Sequence, residues 1–266
     1  MLTDRIKLIG IPYDAKSSFL NGPVEGPDAI RKALFSEASN LFSETGINLG
    51  KVDGFSKKVD LEIENSEAGF SVIEEAASKL LTNDSRPIFL GGDHSITFPL
   101  VRAVTQSNRP TTIIHLDAHP DLYDEFEGDR FSHACPFARI MEESLTDRLI
   151  QIGIRTANDH QREQAKRFGV EMIELPELPT DLGLSADDAV YISLDLDVFD
   201  PAFVPGISHH EPGGMTVREV IEVIHSISAP IIGADVVELN PRRDVNGVTA
   251  MVAAKMVKEI AGKIAI

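Results

Sequence analysis

The sequence is poor in cysteine, tryptophan and basic residues. It has one cysteine and no tryptophan among 266 residues. A single cysteine excludes an internal disulfide framework and any zinc site built from several cysteines. It is also typical of proteins that work in a reducing compartment.

Basic residues are outnumbered by acidic ones. There are 25 Lys and Arg against 42 Asp and Glu, which gives a net charge of −17. Proteins that bind the phosphate backbone of nucleic acids need a basic face, and so do proteins that bind anionic membrane surfaces. The charge therefore predicts neither nucleic acid nor membrane as a partner.

Long hydrophobic runs are also missing. No stretch approaches the ~18 consecutive apolar residues that a membrane helix needs. Residues 1–5 contain no basic region followed by an apolar run, so we expect no secretory signal. Together with the acidic composition, these features predict a cytoplasmic protein.

What the sequence does contain is an alternation of short apolar runs with longer amphipathic segments. The apolar runs, which predict strands, span 6–11, 88–90, 112–116, 149–154, 190–194 and 231–237. The amphipathic segments, which predict helices, span 27–35, 64–81, 96–105, 161–168, 216–227 and 247–264. Continuous apolar strands are typical of parallel sheets covered on both faces. We therefore predict a three-layer α/β/α sandwich with a mostly parallel central sheet, as one domain over residues 1–266.

Acidic and histidine residues cluster directly after three of these strands. The clusters are Gly-Gly-Asp-His ending at His94, Asp-Ala-His-Pro-Asp beginning at Asp117, and Asp-Leu-Asp beginning at Asp195. Each cluster alone also fits a turn or a helix cap. All three lie where open parallel sheets bind ligands, at the carboxyl ends of strands, and this favours a common site.

The spacing within the clusters sharpens this prediction. Asp117, His119 and Asp121 occupy alternate positions, so in an extended chain their side chains share one face. Asp195 and Asp197 repeat this spacing. If the strands are neighbours, five ligand-type side chains converge, and His94 can supply a sixth.

Four carboxylates in one place repel one another unless cations neutralise them. The imidazoles argue against Mg²⁺ or Ca²⁺ alone, and the excess of carboxylates favours Mn²⁺ over Zn²⁺. Two such ions roughly 3.5–4 Å apart can share a water molecule and lower its pKa. The clusters thus predict a site for two manganese ions.

Taken together, the three clusters resemble the ureohydrolase family of arginases and agmatinases, binuclear manganese enzymes that hydrolyse guanidino groups to urea. Three further segments look most like the plant-type arginase branch: Ser-Ser-Phe-Leu-Asn-Gly-Pro ending at Pro23, Ser-His-Ala around His133, and Ser-His-His-Glu-Pro-Gly-Gly from Ser208. The resemblance covers nearly the whole chain. It implies an arginase-like fold, a small cationic guanidino substrate and a homo-oligomer, either a trimer or a hexamer.

The resemblance also implies the ligands of two Mn²⁺ ions per subunit. One ion would be held by His94, Asp117, Asp121 and Asp195. The other would be held by His119, Asp117, Asp195 and Asp197. Asp117 and Asp195 would therefore bridge the two ions.

Three residues match the family's catalytic groups. His133 matches a histidine that shuttles protons, and Glu238 matches a carboxylate that pairs with the substrate guanidinium. A carboxylate suits that task because it accepts two parallel hydrogen bonds from a guanidinium. Asp121 would help to move the proton of the attacking water.

The substrate is less determined. L-Arginine is the leading prediction, with agmatine or guanidinobutyrate as alternatives. Arg130 could receive the carboxylate of arginine, or it could neutralise acids on its own loop. His209 and His210 could line the substrate mouth or shape a loop.

The remaining alternatives concern other roles for the fold and for single residues. A metal-binding or interaction protein without activity is one, and a deacetylase with a mononuclear zinc site is another. We interpret His115 as a structural histidine and Cys135 as a bystander. Asp93 and Asp200 either orient ligands or cap turns.

Overall fold

The computed structural model describes residues 6–52 and 54–266 and contains one eight-stranded sheet. The strands are β1 (Ile6–Gly10), β2 (Val59–Asp60), β3 (Arg86–Leu90), β4 (Thr112–Leu116), β5 (Arg148–Ile154), β6 (Glu171–Glu174), β7 (Val190–Asp195) and β8 (Ile231–Val237). Their order across the sheet is β2-β1-β3-β8-β7-β4-β5-β6, and every pairing is parallel.

Eight helices accompany the sheet in the described ranges. They are α1 (Gly26–Leu34), α2 (Glu67–Phe70), α3 (Ile73–Ser78), α4 (Thr97–Thr105), α5 (Pro136–Glu142), α6 (Asp159–Phe168), α7 (Val217–Ser226) and α8 (Val248–Ile264). Apolar residues of α1, α7 and α8 pack in one core with one face of the sheet. Residues of α3, α4, α5 and α6 form a second core with the other face. The predicted three-layer α/β/α sandwich is confirmed.

Some elements differ from the predictions. The single helix predicted over 64–81 is wrong, because the chain forms two short helices there. The Ser71 hydroxyl donates to the Ala68 carbonyl at 2.7 Å, a local bond that competes with helix continuation. The sequence analysis also missed α5 and the two edge strands. β2 has two residues, and β6 has only two apolar residues between two glutamates, so neither shows a long apolar run.

The order of the strands decides where the acidic clusters lie. β3, β8, β7 and β4 are consecutive neighbours in the middle of the sheet. The segments that carry His94, Asp117 and Asp195 therefore leave the sheet side by side, all at its carboxyl edge. Glu238, which follows β8, joins them there.

The structure bears on the prediction about membrane helices but not on the one about a secretory signal. None of the helices in the described residues has the length and hydrophobicity that crossing a bilayer requires. Residues 1–5, where we expect no secretory signal, lie outside the described residues.

The turn after β3 is tightly packed at Gly92. A Cβ atom on this residue would lie 1.7 Å from the carbonyl oxygen of Tyr13, which is backbone and cannot swing away. We expect Gly92→Ala to lower the free energy of unfolding by about 3 kcal/mol or more through overpacking. Gly50→Ala is the control, because its nearest neighbour is a side-chain oxygen of Asn48 at 3.2 Å. Equal denaturation midpoints for the two variants would contradict this.

Candidate metal centre and active site

His94 stands at the centre of the candidate site. It begins a short 3-10 turn after β3, where the Asp93 side chain accepts a hydrogen bond from the Ser95 amide at 3.0 Å. The imidazole is completely buried. Its Nδ1 atom lies within 3.2 Å of carboxylate oxygens from three residues: Asp117 (3.2 Å), Asp121 (3.0 Å) and Asp195 (2.9 Å).

A chain of hydrogen bonds defines the tautomer of His94. Ser193 Oγ lies 3.0 Å from His94 Nε2 and donates its own proton to Asp235 at 2.7 Å. Asp235 also accepts hydrogen bonds from Tyr191 and Thr97. Because the Ser193 proton is used, His94 Nε2 is the donor in its contact with Ser193. Nδ1 then offers a lone pair toward three carboxylates, and it has no hydrogen-bond partner among the described residues. A cation satisfies that arrangement.

His119 marks a second position for a cation. Its Nδ1 atom lies 3.3 Å from Asp117 Oδ1 and 3.5 Å from Asp197 Oδ2. Asp117 therefore turns one oxygen toward His94 and the other toward His119. One oxygen of this carboxylate is thus available on each side. Asp197 Oδ1 is buried and unpartnered within the described chain, and so is free to act as a ligand.

Local backbone bonds hold these carboxylates in place. Asp117 Oδ1 accepts from the His119 amide at 2.7 Å, and Asp195 Oδ1 accepts from the Asp197 amide at 2.7 Å. The same two-residue spacing that places the side chains together thus also orients them. Such turns are typical of aspartate at the end of a strand.

The ionisation of the cluster favours a bound cation. Burial, reinforced by the charges of neighbouring carboxylates, raises the pKa of Asp195 and of Asp197 well above the usual range. Burial also acts to raise the pKa of Asp117, but contacts with the imidazoles of His115, His119 and His94 outweigh it and hold that pKa well below the usual range. Without cations, the cluster cannot carry all its charges at neutral pH.

His115 belongs to the same cluster but has a different role. His94, His115 and Asp117 offer ligand atoms within 4.8 Å of one another, which fits a metal site. Both ring nitrogens of His115 are already used, however. Gln151 Nε2 lies 3.0 Å from Nδ1 and also donates to the Pro120 carbonyl, while His115 Nε2 lies 2.9 Å from Asp117. His115 thus donates to Asp117 and orients that carboxylate.

Glu238 and His133 form a second group beside the metal cluster. Glu238 Oε1 accepts from the His94 amide at 2.8 Å and lies 3.4 Å from His133 Nδ1. The other imidazole nitrogen of His133 lies 2.8 Å from Ser18 Oγ. Burial acts to lower the pKa of His133, but the contact with Glu238 outweighs it and raises that pKa to about 9. The contact with Glu238 thus favours the protonated form of His133.

Two of the acidic residues have unusual backbone conformations. Asp121 has φ 49° and Glu238 has φ 66°, the left-handed region that residues other than glycine adopt rarely. Strain of this kind costs of order 1–3 kcal/mol per residue and concentrates at functional sites. It aims both carboxylates into the same cavity.

That cavity joins the two groups. It is bordered by His119, Asp121, His133, Asp195, Asp197 and Glu238. The cavity is also lined by Ser18, Tyr123, Phe126, Thr156, Gln161 and His209. A small molecule bound there would touch the acidic cluster, Glu238 and His133 at once.

Comparison with known proteins decides the family. A family model described as "Arginase family" matches residues 4–262. Arginase 1, mitochondrial, from Arabidopsis thaliana is 44% identical over 274 residues, covering 97% of this chain and 80% of that protein. N(1)-aminopropylagmatine ureohydrolase from Thermus thermophilus is 34% identical over 272 residues, covering 97% of this chain and 89% of that protein. The solved structure of arginase from Medicago truncatula superposes with a TM-score of 0.87 at 40% identity, covering 98% of this chain and 87% of that one.

The chain belongs to the arginase family. The resemblance to ureohydrolases, closest to plant arginases, is confirmed, and so is an enzyme that acts on guanidino-type substrates. The prediction of a cytoplasmic location is wrong by the same comparison. Plant relatives of this chain are named as mitochondrial, or as chloroplastic and mitochondrial.

Within this arginase-family site, the two predicted substrate contacts differ. His209 lines the cavity and stacks on His133 with ring centroids 5.2 Å apart. Arg130 does not line the cavity. Its guanidinium is paired with Asp124 at 2.7 Å and Glu142 at 2.9 Å on the loop surface.

Four further residues named in the sequence analysis do not line the cavity. Asp93 accepts from the Lys16 and Ser95 amides, and Asp200 accepts from the amides of residues 202, 213 and 214, so both order loops. His210 is exposed and contacts the Pro205 carbonyl. Burial raises the pKa of the Cys135 thiol to about 12, which leaves it unreactive.

Sequence reasoning missed Arg155, which supports the site from behind. Its guanidinium donates to the carbonyl groups of five residues: Gly153, Asp197, Val198, Phe199 and Glu211. It therefore fastens the turn that carries Asp197. Its position directly after the carboxyl end of β5 was the available signal.

The hydrogen bond between His94 and Ser193 can be tested by mutation. We expect Ser193→Ala to weaken metal binding by about 10- to 100-fold, because His94 loses the acceptor that sets its tautomer. Metal affinity is measured by competition with a chelating dye. Ser85→Ala, a change at a buried serine outside the site, is the control. Equal affinities for the two variants would show that Ser193 does not support the metal centre.

Proposed function

We propose that this arginase-family protein is a manganese-dependent arginase that hydrolyses L-arginine to L-ornithine and urea. The observation that carries the proposal is the position of Asp117 between His94 and His119, with Glu238 and His133 facing the same cavity. The identity to plant arginases supports arginine as the substrate.

Six residues would hold two Mn²⁺ ions: His94, Asp117, His119, Asp121, Asp195 and Asp197. They offer carboxylate oxygens and imidazole nitrogens, a set that suits Mn²⁺. When bound, the metal pair supplies a nucleophile at neutral pH by lowering the pKa of water. Asp121, aimed into the cavity by its left-handed backbone, accepts the proton that this step releases at a carboxylate oxygen.

Glu238 binds and orients the substrate guanidinium. Its carboxylate is buried, and its backbone is held by a hydrogen bond from its own amide to the Gly92 carbonyl at 2.9 Å. A fixed carboxylate can accept two hydrogen bonds from a planar guanidinium, which sets the angle at which the central carbon is presented.

His133 supplies the proton for the leaving amine. In the free protein, His133 Nδ1 lies 3.4 Å from Glu238 Oε1, and this contact raises the pKa of His133. A substrate guanidinium that pairs with Glu238 removes this contact, so His133 Nδ1 releases its proton more easily. Substrate binding and proton donation are thereby coupled. His209, stacked on the same imidazole, limits its rotation.

Agmatine, hydrolysed to putrescine and urea, is the second candidate. No Lys or Arg is among the residues that line the cavity in the described part of the chain. A substrate without a carboxylate needs no cationic partner there. The similarity to an N(1)-aminopropylagmatine ureohydrolase is consistent with this alternative.

We also propose that residues 1–266 form a single ureohydrolase domain, since the described strands make one sheet. A trimer or hexamer stays a prediction.

The metal requirement gives the first test of the function. We expect chelation to abolish urea release and Mn²⁺ to restore it. Asp117→Asn should lower metal content and kcat together, because one carboxylate serves both ions. Asp147→Asn, at an exposed surface pair with Arg109, is the control. Full activity of the metal-free protein would refute the proposal.

Arg130 gives a test of the substrate. Since its guanidinium is paired outside the cavity, we expect Arg130→Ala to leave the ratio of kcat/KM for arginine over agmatine unchanged. The ratio is measured by urea release with both substrates. A strong fall in this ratio would restore Arg130 as the carboxylate partner. A clear preference of the parent protein for agmatine would replace arginine by the second candidate.

A further inference from the structure

Lys16 is a buried lysine beside the active-site cavity. Its side chain is only 4% exposed. Its Nζ atom donates to Glu67 at 2.5 Å and 2.6 Å and to Asp129 at 2.7 Å, and it lies 5.4 Å from the ring of Phe70. Burying an ammonium group is costly unless it is fully paired, and here it is. The pairing joins three segments that are far apart in the chain.

The backbone of Lys16 touches both halves of the active site. Its amide donates to Asp93 Oδ2 at 2.9 Å, next to the turn that carries His94. Its carbonyl accepts from the His133 amide at 3.4 Å. Two residues further on, the hydroxyl of Ser18 lies 2.8 Å from His133 Nε2. The loop of Lys16 therefore contacts His133 through both backbone and side chain.

Asp129, the ion-pair partner of Lys16, holds the segment that precedes His133 in the chain. Asp129 Oδ1 accepts from the Phe131 amide at 2.8 Å, and the Asp129 and Phe126 backbones exchange two hydrogen bonds of 3.0 Å. These bonds form a tight turn, and Phe126 at its start lines the cavity. Fixing Asp129 thus fixes the segment that leads into His133.

Lys16 has no chemical task of its own in the cavity. It is not among the residues that line it, and its ammonium protons are directed to three carboxylate oxygens. An apolar side chain of similar length would fill the space without the cost of burying a charge. The charge of Lys16 is therefore explained by the two carboxylates that it binds, those of Glu67 and Asp129.

We propose that Lys16 is a positioning residue, which holds His133 in place for proton transfer. Its ammonium group binds Glu67 and also Asp129, and the pair with Asp129 clamps the 126–132 loop. This inference rests on the role of His133 in the proposed function. The clamp acts on the proton-transfer step and leaves the metal ligands in place.

The test compares Lys16→Met with Lys16→Arg, which keeps a cation for both carboxylates. We expect Lys16→Met to lower kcat for urea release about tenfold, because small displacements of a catalytic group have effects of that size or more. Manganese content and KM should stay close to those of the parent protein, and Lys16→Arg should recover most of kcat. Lys79→Met, which breaks an exposed pair with Glu75, is the matched control and should leave kcat unchanged.

A double-mutant cycle with His133→Ala separates positioning from a merely structural role. If Lys16 acts through His133, Lys16→Met should cause no further loss of kcat in the His133→Ala protein. Additive losses, or an unchanged kcat in Lys16→Met, would overturn the inference while leaving the proposed function intact. An unchanged kcat in His133→Ala alone would overturn both.

A second variant guards against misfolding of Lys16→Met. Asp129→Asn removes the charge from the partner in the partly exposed loop, where unfolding is less of a risk. It should lower kcat in the same non-additive manner with His133→Ala. Independent losses in this second cycle would also contradict the clamp.

Discussion

The structure depends on one electrostatic constraint. Four carboxylates and two imidazoles meet at the carboxyl edge of the sheet, and Asp117, Asp195 and Asp197 are almost completely buried. Like charges this close resist ionisation, and burial adds to the cost. The unpartnered Nδ1 of His94, directed at three of these carboxylates, fits a cluster that binds a cation. The cluster therefore fits a metal site in an arginase-family protein.

The surrounding fold keeps that cluster rigid. Three parallel strands (β3, β7 and β4) deliver its members, β8 adds Glu238 beside them, and hydrogen bonds from neighbouring side chains set their orientation. Ser193 and Asp235 act on His94, while Gln151 acts on Asp117 through His115. The left-handed backbones at Asp121 and Glu238 add strain that the packed sheet sustains. Rigidity of this kind keeps reacting groups in place without reorganisation.

Much of this was predictable from the sequence. Continuous apolar strands indicated the parallel sheet, and two-residue spacing indicated that Asp117, His119 and Asp121 share a face. Three features were not predictable. The contacts of Arg155 and Lys16 join distant segments, and the only local signal was the position of Arg155 directly after β5. The pairing of Arg130 with Glu142 depends on α5, which begins with Pro136 and is too short to show a periodic pattern.

The central claim is that two manganese ions share Asp117. A crystal structure of the Mn²⁺-loaded protein, measured at the manganese absorption edge, tests it most directly. The account predicts two anomalous peaks roughly 3.5–4 Å apart, one beside His94 and one beside His119, with Asp117 between them. A single peak, or peaks away from these residues, would contradict it.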